Sequence, residues 1–166
     1  MRHVAFCSLL IFLSCSGAPV QEGAIRGSAG GYTIVFPQKW KIARPDDVTL
    51  EAVSEDELAG VRIVEQGRIG KSAEDILGKI EKQLEVQNSL PESSRALDAN
   101  LLKESNAQHC AIGQYALRKN GVLLRRKIWV FVKGQRAFVI TTNVPESYAG
   151  EYPGVFEGII KSLRAQ

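Results

Sequence analysis

The sequence predicts an α+β fold, in which helices pack on an antiparallel β-sheet. The first observation is Asn120-Gly121 between two strand-like runs, because both residues tolerate the positive φ of a tight hairpin turn. The second is that most other segments alternate apolar and polar residues, as half-buried strands do. The third is that two stretches repeat apolar residues at the spacing of an amphipathic helix.

The amino-terminal part of the domain predicts three strands. Residues 31–36 alternate large apolar and smaller residues as far as Pro37, and residues 48–53 and 61–65 are strand-like in the same way. Within 48–53, Glu51 would point away from the apolar face, since neighbouring side chains of a strand lie on opposite sides.

Ser72 and Asp75 predict the start of the first helix. They form an approximate capping box, with Asp in place of the usual Glu. Apolar residues then recur at helical spacing as far as Leu84. The polar residues 91–99 predict a loop, and residues 101–105 predict a further strand.

The carboxy-terminal part is the most regular. Residues 110–118, 122–133 and 136–143 predict a three-stranded meander with turns at Asn120-Gly121 and Gly134-Gln135. A closing helix is predicted near Pro153, since proline suits the first helical position. Its core stripe would be Val155, Phe156, Ile159, Ile160 and Leu163.

The amino terminus has the layout of an export signal. Residues 1–15 run from a basic start through an apolar stretch to small residues, with a lipobox-like end. The apolar stretch is too short for a transmembrane helix, which needs about 20 residues. Residues 16–30 are rich in glycine and small residues and predict a flexible tether. Residues 31–166 are predicted to form one domain.

Cys15 is the predicted lipid-attachment residue. Residues 12–15, Phe-Leu-Ser-Cys, resemble the bacterial lipobox, although Phe12 departs from the usual Leu. Two alternatives stay open, namely plain secretion after cleavage and a cysteine that happens to lie in an apolar segment. The sequence therefore predicts an exported membrane lipoprotein of bacteria, facing the periplasm or the cell exterior, with a secreted soluble protein as the alternative.

Composition argues against several classes of function. The formal net charge of +3 is too small for a nucleic-acid-binding surface, which usually needs a strongly basic stripe. Beyond the signal, Cys110 is the only cysteine, which excludes a disulfide framework. Hydrophobic residues make up 45% of the chain, which is ordinary for a globular protein.

Three segments resemble a known family. Residues 31–40, GYTIVFPQKW, resemble the opening strand and Pro-x-x-Trp turn of PsbP-like domains. Residues 129–141 resemble their central hairpin, and residues 156–163 resemble their closing helix. The resemblance covers nearly all of residues 31–165 and implies the PsbP-like sandwich of the Mog/PsbP-type group.

That group includes the extrinsic PsbP subunit of photosystem II, a Ran-binding nuclear import factor and many bacterial lipoproteins of unassigned role. Its known members are similar in being non-enzymatic binding or assembly proteins. The resemblance therefore implies a non-enzymatic member of the lipoprotein branch, and it carries over no site residue.

The sequence predicts no catalytic residue, no metal site and no cofactor. His109 and Cys110 are neighbours in a predicted strand, so their side chains would point to opposite faces. One histidine and one cysteine cannot supply the three or four ligands of a zinc site. The acidic residues 46–47 and 55–57 could hold a hard cation weakly, with solvated loops as the alternative.

A basic cluster around the predicted hairpin is the candidate partner-binding patch. An exposed group of arginines beside an aromatic ring could bind an acidic protein, a phosphate headgroup or a glycan. The alternative is a solvated hairpin tip whose long side chains shield the sheet. The patch consists of Arg118, Arg125, Arg126, Lys127 and Trp129.

The predicted function is that of a lipid-anchored envelope protein acting as a non-enzymatic binding or assembly module. Its predicted partner is an envelope protein or complex, with membrane contact through the lipid anchor only and no nucleic acid. Two alternatives stay open. One is a carrier of a small apolar ligand between sheet and helix, and the other is a hydrolase-type enzyme with scattered carboxylates and His109.

Overall fold

The described part of the chain excludes most of the amino terminus. The computed structural model describes residues 25–26, 31–67, 72–86, 90–92 and 99–166. The predicted export signal with Cys15 lies outside these residues, and so does the predicted tether except for residues 25–26. Those two residues form a short strand.

The chain forms ten strands, three α-helices and a 3-10 helix within the described residues. The strands are Ile25–Arg26 (β1), Tyr32–Ile34 (β2), Lys41–Ala43 (β3), Thr49–Val53 (β4), Gly60–Gly67 (β5), Leu90–Glu92 (β6), His109–Lys119 (β7), Val122–Lys133 (β8), Arg136–Pro145 (β9) and Arg164–Ala165 (β10). The helices are Ala73–Val86 (α1), Ala99–Ser105 (α2), Pro153–Ser162 (α3) and the 3-10 helix Glu146–Tyr148.

Two antiparallel sheets organise these elements. Seven strands form the larger sheet in the order β3-β4-β5-β9-β8-β7-β6, and three form the smaller one in the order β1-β2-β10. The predicted α+β fold is confirmed. The short strands β3, β6 and β10 were not predicted, because two or three residues carry too little alternation to be recognised in a sequence.

The predicted hairpin and capping box are both present. Asn120 and Gly121 have φ angles of 50° and 81°, and they join β7 to β8 through a tight turn because both residues tolerate positive φ. At the start of α1, the Asp75 backbone N–H donates to the Ser72 hydroxyl at 3.1 Å, and the Ser72 N–H donates to the Asp75 carboxylate at 3.2 Å.

One predicted strand is wrong, because residues 101–105 belong to helix α2. Residues 99–105 include no β-branched residue and are largely good helix formers. Asn106 follows the helix with a φ of 57°, in the left-handed conformation that commonly ends helices. The predicted loop at 91–99 also contains part of β6, which pairs with β7.

The larger sheet buries a hydrophobic core on each face. One face, named here the α3 face, packs against helix α3, and the opposite one, the α1 face, packs against helix α1. Large members of the first core are Ile112, Trp129, Phe131, Phe138, Ile140, Phe156, Ile159 and Ile160. Members of the second are Leu77, Leu84, Ala111, Tyr115, Ile128, Val130, Val132 and Ala137. The predicted core stripe of α3 is confirmed at its three buried helical positions.

Candidate functional site

A cleft of about 570 Å³ lies between the α3 face of the sheet and helix α3. Strands β7, β8 and β9 supply one wall, and α3 with the segment before it supplies the other. Apolar side chains at its base come from both walls, and charged side chains surround them. The apolar members are Ile112, Trp129, Val144, Phe156 and Ile160.

Strand register explains why these side chains meet. Opposed residues of an antiparallel pair lie on the same face. Trp129 of β8 is opposite Ile112 of β7, and Lys127 is opposite Gln114. The 3-10 helix that follows β9 leads the chain into α3, whose apolar stripe then packs on this face.

An ion pair between Arg125 and Glu146 lines the cleft where β8 meets the 3-10 helix. The guanidinium donates through Nε to one carboxylate oxygen and through Nη2 to the other, the second bond being 2.8 Å long. The hydrogen bonds raise the pKa of Arg125 and lower that of Glu146. Both side chains are a little under two-fifths exposed, so this pair lies close to water.

Lys127 lies over the ring of Trp129, with its Nζ 5.0 Å from the ring centroid. This is the geometry of a cation–π contact. Trp129 is only 4% exposed, so its ring is a fixed platform for the ammonium group. The ring therefore positions the ammonium group of Lys127, and no carboxylate takes part in this contact.

A second ion pair is on the helix wall of the cleft. Lys161 Nζ is 2.7 Å from the Glu157 carboxylate, at the i,i+4 spacing that brings two side chains together on a helix surface. Both residues line the cleft and are at least half exposed.

The structure divides the predicted basic patch between two faces of the sheet. Arg125, Lys127 and Trp129 lie on the α3 face, and Arg118 shares this face through its pairing with Leu123. Arg118 is near the hairpin turn, where it donates to the Gly121 carbonyl at 3.4 Å, and it does not line the cleft.

Arg126 points to the α1 face instead. Its Nε donates to the Asn143 side-chain oxygen at 2.7 Å. Burial lowers the pKa of Arg126, and the charge of Arg62 on the same face lowers it further. The cluster that is continuous in sequence is therefore not one continuous surface, because neighbouring positions of a strand face opposite ways.

The remaining sequence candidates have local roles. His109 is exposed and Cys110 is fully buried, in keeping with adjacent strand positions. In the acidic loop 55–57, Asp56 accepts hydrogen bonds from the Ser54 and Tyr152 hydroxyls, each at 2.5 Å. Within the part of the chain that the structure describes, no group of three or more side chains is arranged to hold a metal ion.

Sequence reasoning missed the acidic and helical members of the cleft. The spacing of Glu157 and Lys161 is readable in the sequence as an i,i+4 pair. The contact of Arg125 with Glu146 cannot be predicted from the sequence, because the two residues are 21 positions apart. They meet only through the register of β8 with β9 and the turn that follows.

No protein-family model and no curated protein matches the chain. Among solved structures, a Bacteroides thetaiotaomicron VPI-5482 protein is similar with a TM-score of 0.59 and 15% identity, covering 89% of this chain. This chain spans about half of that protein, 49% of its length.

Two further solved structures are similar over most of both chains. LpqN, which is involved in cell envelope biogenesis of Mycobacterium tuberculosis, has a TM-score of 0.54 and 14% identity, with 87% of this chain and 90% of LpqN covered. The PsbP of Synechocystis sp. PCC 6803 has a TM-score of 0.45 and 10% identity, with 93% and 99% covered. No helix of the described residues is long and apolar enough to cross a membrane.

Proposed function

We propose that this chain is a non-enzymatic binding module exported to the cell envelope, attached to the membrane by a lipid on Cys15, with the cleft beside α3 as its binding site. The observation that carries the proposal is the cleft itself, which combines an apolar base with charged walls in about 570 Å³. Binding sites for small molecules have volumes of about 300–1,000 Å³ and this mixture of side chains.

The charges in the cleft favour binding over catalysis. A general acid or base needs a titratable group that is available to the substrate and has its pKa tuned toward the working pH. Glu146 is instead held ionised by Arg125, which lowers its pKa, and Glu157 pairs with Lys161. The carboxylates of the cleft thus act as partners of its basic side chains.

The envelope location is supported from two directions. The residues around Cys15 resemble a lipobox behind an export signal. LpqN, which has a similar fold over most of its length, is involved in cell envelope biogenesis of Mycobacterium tuberculosis. The predicted partner remains an envelope protein or complex.

A photoreactive amino acid in the cleft tests the binding site in the full-length protein in cells. We would place it at Gln114, which is exposed in the cleft opposite Lys127, and irradiate intact cells. We expect covalent adducts of defined mass, because a bound molecule would lie within reach of the group.

The matched control is the same amino acid at Gln135, an exposed position in the turn beyond the far end of β8. It is roughly 25 Å from Lys127 along the strand, at about 3.3 Å per residue. Adducts at both positions alike, or at neither, would contradict the cleft as a binding site.

Cys15→Ser tests the lipid anchor. We expect the wild-type protein in the membrane fraction and the variant in the soluble fraction, because acyl chains supply about 0.8 kcal/mol of membrane affinity per buried methylene. Cys110→Ser is the control, since Cys110 is fully buried in the domain, and it should stay with the membrane. Continued membrane attachment of Cys15→Ser would refute the anchor.

A second candidate is a carrier of a small ligand with apolar character. It is favoured by the position of the cleft between sheet and helix and by the apolar side chains at its base. The two candidates share the same site and differ in what occupies it.

A further inference from the structure

We infer that the cleft binds a small organic anion that has an apolar body, and that the ammonium group of Lys127 receives the anionic group. This inference rests on the second candidate function, the carrier of a small ligand, since it names the class of molecule that the same cleft would take. The three observations behind it are the apolar base, the position of Lys127 and the pairing of the other charges.

The base of the cleft selects an apolar body. The side chains there belong to the packed core, and Trp129, Phe156 and Ile160 are between 2% and 8% exposed. They present a firm surface with little freedom to rearrange. Apolar area that a ligand buries against this surface contributes about 25 cal/mol of binding free energy per Å². A fully polar ion would displace water from this surface without that gain.

Lys127 is the anchor for the charge. It lines the cleft, and the Trp129 ring holds its ammonium group 5.0 Å from the centroid. A π-face accepts no strong hydrogen bond, so the three N–H donors stay available to a ligand. The contact also reduces the conformational freedom that the lysine would lose on binding.

The other basic groups are already engaged. Arg125 pairs with Glu146, and Lys161 pairs with Glu157. Arg126, which also lines the cleft, is hydrogen-bonded to Asn143. Lys127 is thus the basic side chain on the α3 face of the cleft that has no carboxylate partner within the described residues. The unbalanced charge of the cleft is positive, which favours an anion over a cation or a neutral molecule.

The size of the cleft favours a small molecule. Its 570 Å³ matches the volume of sites that enclose one drug-sized ligand. The anionic group can be a carboxylate or a phosphate monoester, since either accepts charge-assisted hydrogen bonds from an ammonium group. The probes used in the test distinguish a carboxylate ligand from a phosphate ligand.

The test is a fluorescence titration of Trp129. The chain has two tryptophans, so Trp40→Phe leaves Trp129 as the only reporter, and Cys15→Ser in the same full-length chain allows purification without detergent. The probes are octanoate, octyl phosphate and the neutral octanol, with acetate and inorganic phosphate as anions that lack the apolar body.

We expect octanoate, octyl phosphate or both to bind and to change the emission, while acetate and inorganic phosphate do not. Lys127→Gln should weaken binding of the anions about tenfold, the loss expected for one charge-assisted hydrogen bond, and leave octanol unchanged. Lys103→Gln, the same charge change at an exposed position on α2, should bind as tightly as the parent chain. Octanoate alone would identify a carboxylate ligand, and octyl phosphate alone a phosphate ligand.

The inference is overturned if neither octyl anion binds, if Lys127→Gln binds them as tightly as the parent, or if Lys103→Gln loses as much affinity. Unchanged octanol binding and an unchanged urea unfolding midpoint would show that Lys127→Gln still folds. Failure here together with adducts at Gln114 in cells would leave the cleft as a binding site for another class of molecule. Failure of both experiments would reject the site itself.

Discussion

The cleft on the α3 face and the surroundings of Glu51 on the α1 face differ in how far their charged groups are exposed to water. On the α3 face, Arg125 and Glu146 pair at the edge of the cleft with nearly two-fifths of each side chain exposed. On the α1 face, the Glu51 side chain is only 7% exposed beside Arg62, and one of its carboxylate oxygens has no hydrogen-bond partner. Charged residues are therefore near water at the cleft and desolvated beside Arg62. Away from the cleft, the α3 face also buries a carboxylate, that of Glu65, which is 8% exposed and pairs with Arg136.

The pKa directions follow this difference. Burial raises the pKa of Glu51 and lowers that of Arg126. The fold therefore disfavours the ionised form of each of these two residues. On the α3 face, hydrogen bonding lowers the pKa of Glu146, so its ionised form is favoured. A ligand can approach the charges of the cleft at a small desolvation cost, which is one reason to place the binding site there.

The largest effect is expected from Gly113→Ala on the α1 face. A methyl group at this position would overlap the hydroxyl and ring of Tyr115, which is almost fully buried. Relief would require the tyrosine to move away from Glu81 of α1, to which it donates a hydrogen bond of 3.0 Å. We expect a loss of about 1–3 kcal/mol in the free energy of unfolding, measured by urea denaturation.

Gly60→Ala is the matched control on the same sheet. Its new methyl group would meet only the Ala52 carbonyl oxygen, at 3.9 Å, which is an ordinary contact. We expect unchanged stability or a gain of up to about 1 kcal/mol, because alanine loses less backbone entropy than glycine on folding. Equal losses for the two variants would mean that the Tyr115 contact is not responsible.

A smaller effect is expected from Glu51→Gln. Because burial raises the pKa of Glu51 in the folded state, this group favours folding most when it is protonated, and that contribution is lost as pH rises through the raised pKa. The glutamine variant should therefore be at least as stable as the wild type at neutral pH. The difference should shrink at acidic pH, which urea denaturation at both pH values would measure. A variant less stable at neutral pH would show that the contact with Arg62 outweighs desolvation.

The smallest effect is expected from Glu146→Gln, and its pH dependence should have the opposite sign. Hydrogen bonding from Arg125 lowers the pKa of Glu146, so this group stabilises the fold above its ordinary pKa, and the contribution is lost as pH falls through the lowered value. We expect a slight loss of stability at neutral pH that disappears in acid. The same trend for both glutamine variants would remove the contrast between the two faces.

Local chemistry made several elements predictable. Asn120-Gly121 requires positive φ at two successive positions, and Ser72 with Asp75 satisfies backbone donors that a helix start leaves open. Both signals depend on residues within a few positions of each other. The segment 101–105 has weaker local signals, namely its helix-forming residues and Asn106 after them, and Leu102 packs against the core on the α3 face.

The candidate site was only partly predictable for the same reason. Arg125, Lys127 and Trp129 share a face by strand alternation, which the sequence contains. The partners that complete the cleft, Glu146 and Glu157, come from later elements. They lie close to the strand residues because the chain after β9 turns back over the sheet.

The sequence by itself determined the α+β class, the β7–β8–β9 meander, and the starts of α1 and α3, because these follow from turn, capping and periodicity signals within short windows. Tertiary structure alone decided that Arg126 pairs with Asn143, that Glu51 is desolvated, and that a cleft opens beside α3. The physical reason is that burial and electrostatic environment depend on what packs against a residue, and those partners are distant in the chain.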